Sequence, residues 1–152
     1  MRTVLIGMLL LMLTVATGFA ADGLVSVKSP YSTKQTMDRL EEIVTQKGLT
    51  VFARINHAKG AQSIGKSLRP TELLIFGNPQ GGTPFMECAQ TVAIDLPLKA
   101  LAWEDQQGQV WLSYNDPGYL AERHAAQSCP VVDNLSKTLH GISQETVALE
   151  GK

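Results

Sequence analysis

The sequence predicts an α+β fold, in which helices pack on one face of a mostly antiparallel sheet. Along the chain the expected elements are a strand, a helix, a strand, a short helix, a strand, a helix, a hairpin and further helices. A hairpin pairs its strands antiparallel, and Gln106-Gln107-Gly108 has the composition of its turn. The antiparallel hairpin argues against a doubly wound parallel sheet.

The first expected strand covers residues 23–28, and the first helix follows Ser32. Ser32 with Gln35 three positions later is the pattern of a capping box. Apolar residues then recur at helical spacing, and Gly48 stands where a C′ glycine closes a helix.

Residues 49–57 alternate in polarity, which predicts a half-buried strand. One face of that strand would carry the residues Leu49, Val51, Ala53 and Ile55. By the same alternation, His57 would point to the apolar side at the end of the strand.

The middle of the chain combines a buried strand with a helix start. Leu73–Phe76 is continuously apolar, so both faces of this strand are expected to be covered. Thr83 before Pro84 predicts an N-cap and first helical residue, for a helix that runs to about Val92.

The second half of the chain predicts a hairpin and two helices. The hairpin strands cover residues 98–105 and 109–114. A cap-and-proline pair at 116–117 predicts the start of one helix, and an apolar stripe over 131–142 predicts the last helix. The two tryptophans, Trp103 and Trp111, would lie on facing strands of the hairpin.

The amino terminus predicts a signal peptide over residues 1–20. Arg2 precedes an apolar run over 4–15, and small residues at Gly18 and Ala20 suit signal-peptidase cleavage after Ala20. An uncleaved membrane anchor is the alternative. Cleavage would leave residues 21–152 as one domain in a periplasm or outside the cell, with no stable membrane anchor.

The balance of charged residues and the two cysteines limit the classes of function that this chain could have. The 13 basic residues are balanced by 14 acidic ones without a basic patch, which removes the electrostatic basis for nucleic-acid binding. In an exported chain the pair Cys88 and Cys129 predicts a disulfide, although two buried free thiols would also fit. The histidines His57, His124 and His140 lack metal-ligand spacing, and no motif predicts a cofactor.

Residues 49–124 resemble the family called domain of unknown function 302. The resemblance rests on five stretches, Val51-Phe52-Ala53-Arg54-Ile55-Asn56-His57-Ala58, Leu68-Arg69-Pro70-Thr71-Glu72-Leu73-Leu74-Ile75-Phe76-Gly77-Asn78-Pro79, Gly82-Thr83-Pro84, Asp95-Leu96-Pro97-Leu98-Lys99, and Trp111 with Ser113-Tyr114-Asn115-Asp116-Pro117. It implies a small α+β domain that tends to form homodimers. It supplies no substrate and no catalytic residue.

Five residues are candidates for a site. His57 could be a general base or a ligand contact, or a structural histidine bonded to a carbonyl. Asp95 could orient His57, or could equally cap a turn before Pro97. Asn78, Thr83 and Asn115 could converge with His57 on a ligand cleft at strand and helix ends.

These observations favour a non-enzymatic exported domain, a homodimer that binds a small molecule or a partner protein. The alternative is a small hydrolase- or isomerase-like enzyme with His57 as general base and Asp95 orienting it. A third possibility is an interaction module that uses the hairpin face of Trp103 and Trp111.

Overall fold

The computed structural model describes residues 23–149. The strands are β1 (Leu24–Ser29), β2 (Thr50–Asn56), β3 (Thr71–Gly77), β4 (Leu98–Glu104) and β5 (Val110–Asn115). The helices are α1 (Thr33–Gln46), α2 (His57–Ser63), α3 (Pro79–Cys88), α4 (Pro117–Arg123) and α5 (Val132–Val147), with a 3₁₀ helix at Gln90–Ile94. The signal peptide expected over residues 1–20 lies outside the described residues.

The five strands form one antiparallel sheet in the order β1-β5-β4-β3-β2. Strands β4 and β5 are the expected hairpin, with Trp103 opposite Trp111. Because β3 and β5 both run antiparallel to β4, their carboxyl ends lie at the same end of the sheet. The α+β prediction, with an antiparallel sheet, is confirmed.

One face of the sheet is covered by α1 and α5. Alternate residues of the central strands point into this layer, among them Leu74, Phe76, Ala102 and Leu112, which are almost fully buried. The helices contribute Met37, Leu40, Val44, Leu139 and Ile142 to the same core. Burying each of the larger side chains stabilises the fold by about 1.5–3 kcal/mol, so this layer supplies most of the apolar driving force.

A second apolar cluster lies at the end of the sheet where β3 finishes. It is centred on Phe85 of α3 and Leu120 of α4, with Val132 and Leu135 from the start of α5. Cys129 belongs to this cluster and forms a disulfide with Cys88 at the end of α3. The bridge therefore ties α3 to the segment that leads into α5.

Strand β2 contains a bulge that changes the face of every later residue. Val51 pairs with Phe76, but Ala53 pairs with Ile75, so one extra residue, Phe52, is inserted between them. Beyond Val51 the expected alternation is wrong, because the insertion shifts the parity by one residue. Arg54 points to the helical layer, and Ile55 points to the opposite face of the sheet, the open face.

Arg54 is the centre of an ion network between β2, β3 and α1. Its guanidinium donates to Glu72 at 2.8 Å, to Asp38 at 2.7 Å and to Glu41 at 3.0 Å. Glu72 is 8% exposed and also accepts a hydrogen bond from Asn56 at 3.1 Å. The bulge thus places a cation beside a buried carboxylate, which balances the cost of burying both.

Replacing Arg54 by methionine is expected to lower the free energy of unfolding by about 1–3 kcal/mol, because Glu72 would remain buried without its cation. Urea denaturation measures the change. Lys34→Met is the control, since Lys34 forms an exposed pair with Asp38 and its loss should cost less than about 0.5 kcal/mol. Equal effects of the two substitutions would contradict this account.

The penalty of Arg54→Met should also depend on pH. The pKa of Asp38 is lowered, chiefly by the hydrogen bond from Lys34 and further by Arg54, and burial opposes this lowering only in part. A lowered carboxyl pKa stabilises the fold above the unfolded-state value and loses that effect as pH falls through the folded-state value. The difference in stability between wild type and Arg54→Met should therefore shrink on acidification.

Candidate functional site

A cavity of about 380 Å³ lies where the helical layer meets the carboxyl end of β3. Its apolar lining comes from the sheet, from the segment before β4, from α3 and from α5, and includes Phe76, Leu98, Leu96, Met86, Leu135, Leu139 and Ile142. Phe52, which is 58% exposed, and Thr138 stand at its rim. The volume is within the range of about 300–1,000 Å³ that is usual for ligand pockets.

Helix α3 forms one wall of the cavity, and it begins earlier than the sequence predicts. Asn78 is the N-cap, its side-chain oxygen accepts from the Gly81 N–H at 2.9 Å, and Pro79 takes the first helical position. The prediction of Thr83 as N-cap is wrong, because the earlier Asn78-Pro79 pair follows β3 directly and starts the helix first. The helix also ends at Cys88, and a separate 3₁₀ helix replaces its expected continuation to Val92.

Helix α3 has a composition that disfavours a helix. Gly81 and Gly82 each cost about 1 kcal/mol relative to alanine, and Pro84 in the interior removes a backbone hydrogen bond. A Cβ atom built on Gly82 would meet only Leu96, at 3.6 Å, so a methyl group would fit there. Fully buried Phe85 and the disulfide of Cys88 hold this helix in place from its carboxyl-terminal half.

Two of the four candidate ligand-binding residues, Asn78 and Thr83, line the cavity. Asn78 caps α3 with its oxygen, and Thr83 lies one turn further along the helix. The polar side chains in the lining are those of these two residues and Thr138, and none of the three is charged. Their role in binding stays a prediction.

The other two candidates lie elsewhere. His57 is exposed at the first position of α2, and Asn56 before it pairs with Glu72 at the start of β3. It is therefore at the opposite end of the sheet from Gly77, roughly 16 Å away at 3.3 Å per residue. Asn115 ends β5 at the same end as the cavity but is exposed and outside its lining. The four residues do not converge.

Asp95 pairs with a histidine other than the expected one. Its carboxylate bonds to His124 Nε2 at 2.7 Å and accepts from Arg123 at 3.3 Å, while His124 Nδ1 lies 3.0 Å from the Thr91 hydroxyl. The His57–Asp95 pair is therefore not formed. This cluster joins the 3₁₀ helix to the end of α4 and so fixes the cavity wall that Leu96 belongs to.

Nothing in the sequence pointed to His124. It is 29 positions from Asp95 and follows the last residue of α4, so no short spacing links the two. Only the packing of α4 against the second apolar cluster brings them together.

The open face carries the two tryptophans as a stacked pair, with ring centroids 6.4 Å apart. Trp103 Nε1 donates to the Ser113 hydroxyl, and Trp111 Nε1 donates to Asp105, each at 2.8 Å. Ser113 also bonds to Ser26 at 2.7 Å. Both indole N–H groups of this face are thus paired within the chain.

Among residues 23–149, no helix has both the length and the apolar character needed to cross a membrane. Nor does that range contain three or more histidine, cysteine, aspartate or glutamate side chains grouped as a metal site would require.

The fold and the cavity define a small α+β domain with its helices on one sheet face and an apolar pocket beside α3. The chain belongs to the family described as "Domain of unknown function DUF302", whose model matches residues 25–145. The resemblance found in the sequence motifs is confirmed.

A solved structure shares this fold. It is described as an uncharacterized conserved protein DUF302 from Bacillus stearothermophilus, and it is similar to this chain with a TM-score of 0.73 and 21% sequence identity. The match covers 83% of this chain and 99% of the other. At this identity the likeness establishes the fold alone.

Relatives of higher identity are longer proteins. Proteins named "Fluoride-specific ion channel FluC 1" from Brucella suis biovar 1 (strain 1330) and Brucella abortus biovar 1 (strain 9-941) are both 50% identical to this chain over 103 residues. The matches cover 68% of this chain but 41% and 38% of those proteins. The chain therefore spans about two fifths of their length.

Gly82→Ala is expected to raise the free energy of unfolding by about 0.5–1 kcal/mol, because alanine favours a helix and its methyl group has space beside Leu96. Urea denaturation measures the gain. Gly141→Ala, in α5 with nothing near its Cβ, is the matched control and should gain a similar amount. A loss at Gly82 together with a gain at Gly141 would show that the space beside α3 is already filled.

Proposed function

We propose that this chain is a non-enzymatic, exported binding module whose cavity beside α3 holds a small apolar ligand. The observation that carries the proposal is the cavity of about 380 Å³ with its apolar lining. Concave and mostly apolar sites of this size are the usual form of small-ligand pockets. The signal-peptide pattern of residues 1–20 supports export to a periplasm or beyond.

The composition of α3 supports the same proposal. A helix that needs only to pack would gain stability from alanine at Gly82, yet glycine there leaves the cavity wider. The cavity opens to solvent at Phe52, Thr83 and Thr138, which are exposed, so a ligand can reach it directly.

An enzyme with His57 as general base has no support in the geometry. The imidazole is exposed, and the structure gives its side chain no hydrogen bond among residues 23–149. The carboxylate expected to orient it is engaged by His124 and Arg123.

The cavity does not suit the fluoride ion that the relatives' names mention. Fluoride is a small anion whose charge is costly to remove from water, so its site needs a cation or many donors close together. The cavity offers an amide and two hydroxyl side chains in an apolar lining.

Thr138→Trp should close the cavity, since Thr138 is an exposed residue of α5 at the rim. The affinity for the neutral apolar dye Nile red is expected to fall by about tenfold or more, equivalent to 1.4 kcal/mol or more. Fluorescence titration of the dye measures it.

Lys137→Trp is the matched control for this experiment. Lys137 is the adjacent exposed residue of α5 but lies outside the cavity lining, so tryptophan there should leave dye binding unchanged. Unchanged dye binding in Thr138→Trp, or no dye binding by the wild type, would contradict the proposal.

A second proposal, that the chain is a homodimer, rests on the open face. Leu73, Ile75 and Leu101 lie on the same face as the stacked tryptophans, and Lys28 lies over the Trp111 ring. The indole N–H groups are already paired within the chain. Burying this face against a second copy would therefore remove apolar area from water without leaving the indole donors unpaired.

Leu101→Glu should convert dimers into folded monomers, because it places a charge at the centre of the open face, between Leu73 and Ser113. Sedimentation equilibrium measures the mass, and circular dichroism confirms the fold. Ile94→Glu, at a residue 74% exposed on the 3₁₀ helix, is the control and should leave the mass unchanged. A monomeric wild type, or dimers of Leu101→Glu, would rule out this interface.

A further inference from the structure

The lining of the cavity carries no charged side chain among residues 23–149. Two cations close to the lining, Lys99 and Arg123, are engaged outside it. Lys99 donates to the backbone oxygens of Asp95 and Pro97 at 2.7 and 3.0 Å, and Arg123 bonds to the Asp95 carboxylate. A charged ligand in the cavity would therefore find no counter-charge.

The N-terminus of α3, which lies at the cavity, provides few free N–H donors for an anion. Helix N-termini bind anions through free N–H groups and the helix dipole. At α3, Pro79 has no N–H, the Gly81 N–H is bonded to the Asn78 side chain at 2.9 Å, and the Gly82 N–H to the Asn78 backbone oxygen at 3.1 Å. Of residues 79–82, only Gln80 retains a donor, which is too few for a carboxylate or a phosphate.

For an uncharged polar group, one hydrogen bond in the cavity can offset much of the hydration that is lost on entry. A hydroxyl or carbonyl loses less hydration than an ion when it enters an apolar site, and a single hydrogen bond restores much of that loss. The side-chain oxygen of Asn78 accepts the capping hydrogen bond, so its NH₂ group remains as a donor. Thr83 provides a hydroxyl group in the same lining. One polar head at this end of the cavity can be satisfied.

We propose that the cavity selects an uncharged ligand with an apolar body and one hydrogen-bonding head group, such as an alcohol or a ketone, and rejects carboxylates, phosphates and ammonium compounds. This inference rests on the proposed function of the cavity. The head group lies beside Asn78 and Thr83, and the body lies against Phe76, Leu135 and Ile142.

Three probes of equal chain length test the selection on the full chain after export. Decanol, decanoate and decylammonium compete with Nile red below their micelle concentrations, at a pH where both ions are charged. Decanol is expected to bind about tenfold or more tightly than either ion, since neither finds a partner for its charge. Decanoate affinity should then rise as pH falls through its own carboxyl pKa, with decanol as the reference at each pH.

The outcomes separate this inference from the proposed function. Decanoate or decylammonium binding as tightly as decanol would overturn the selection for uncharged ligands while leaving the cavity a binding site. No displacement by any probe, or displacement unaffected by Thr138→Trp, would overturn the proposed function and this inference with it.

Asn78→Asp tests the position of the head group. Aspartate is as good an N-cap as asparagine, so α3 should be retained. The new carboxylate replaces the donor and supplies a partner for a cation, so the advantage of decanol over decylammonium should shrink by about tenfold. An unchanged ratio would place the head group elsewhere and overturn this part of the proposal.

Discussion

The covering of one sheet face by α1 and α5 is the constraint on which the rest of this structure depends. Apolar residues of α1 and α5 need a flat apolar partner, and alternate residues of β3, β4 and β5 provide it. Two distinct surfaces result. The cavity lies between α3 and the end of the helical layer. The open face, which carries the two tryptophans, lies on the other side of the sheet. The two proposed binding surfaces are thus separate products of one packing arrangement.

The parts of the fold that depend on local chemistry could be predicted from the sequence. The capping box at Ser32, the hairpin with its facing tryptophans and the cap at Asp116 all form, because each depends on residues within a few positions. The start of α3 was misassigned for a related reason. Two cap-and-proline pairs, at Asn78 and Thr83, compete within seven residues, and only the end of β3 decides between them.

The candidate site was predicted less completely, because its geometry depends on non-local packing. A single inserted residue at Phe52 reverses the faces of β2, so the alternation that placed His57 on the apolar side fails. Asp95 was identified as a group that orients a histidine, but its partner, His124, comes from a helix far along the chain. Asn78 and Thr83 do line the cavity, since Asn78 caps the helix that follows a buried strand and Thr83 lies in that helix.

The bulge in β2 has a consequence for how this domain can associate with other chains. Strand β2 is the last in the sheet, so its outer backbone groups have no strand beside them among the described residues. A regular edge of this kind invites strand addition, which leads to fibrils and amorphous aggregates. The extra residue at Phe52 breaks the regular spacing of donors and acceptors, which disfavours the pairing of a foreign strand in register along this edge.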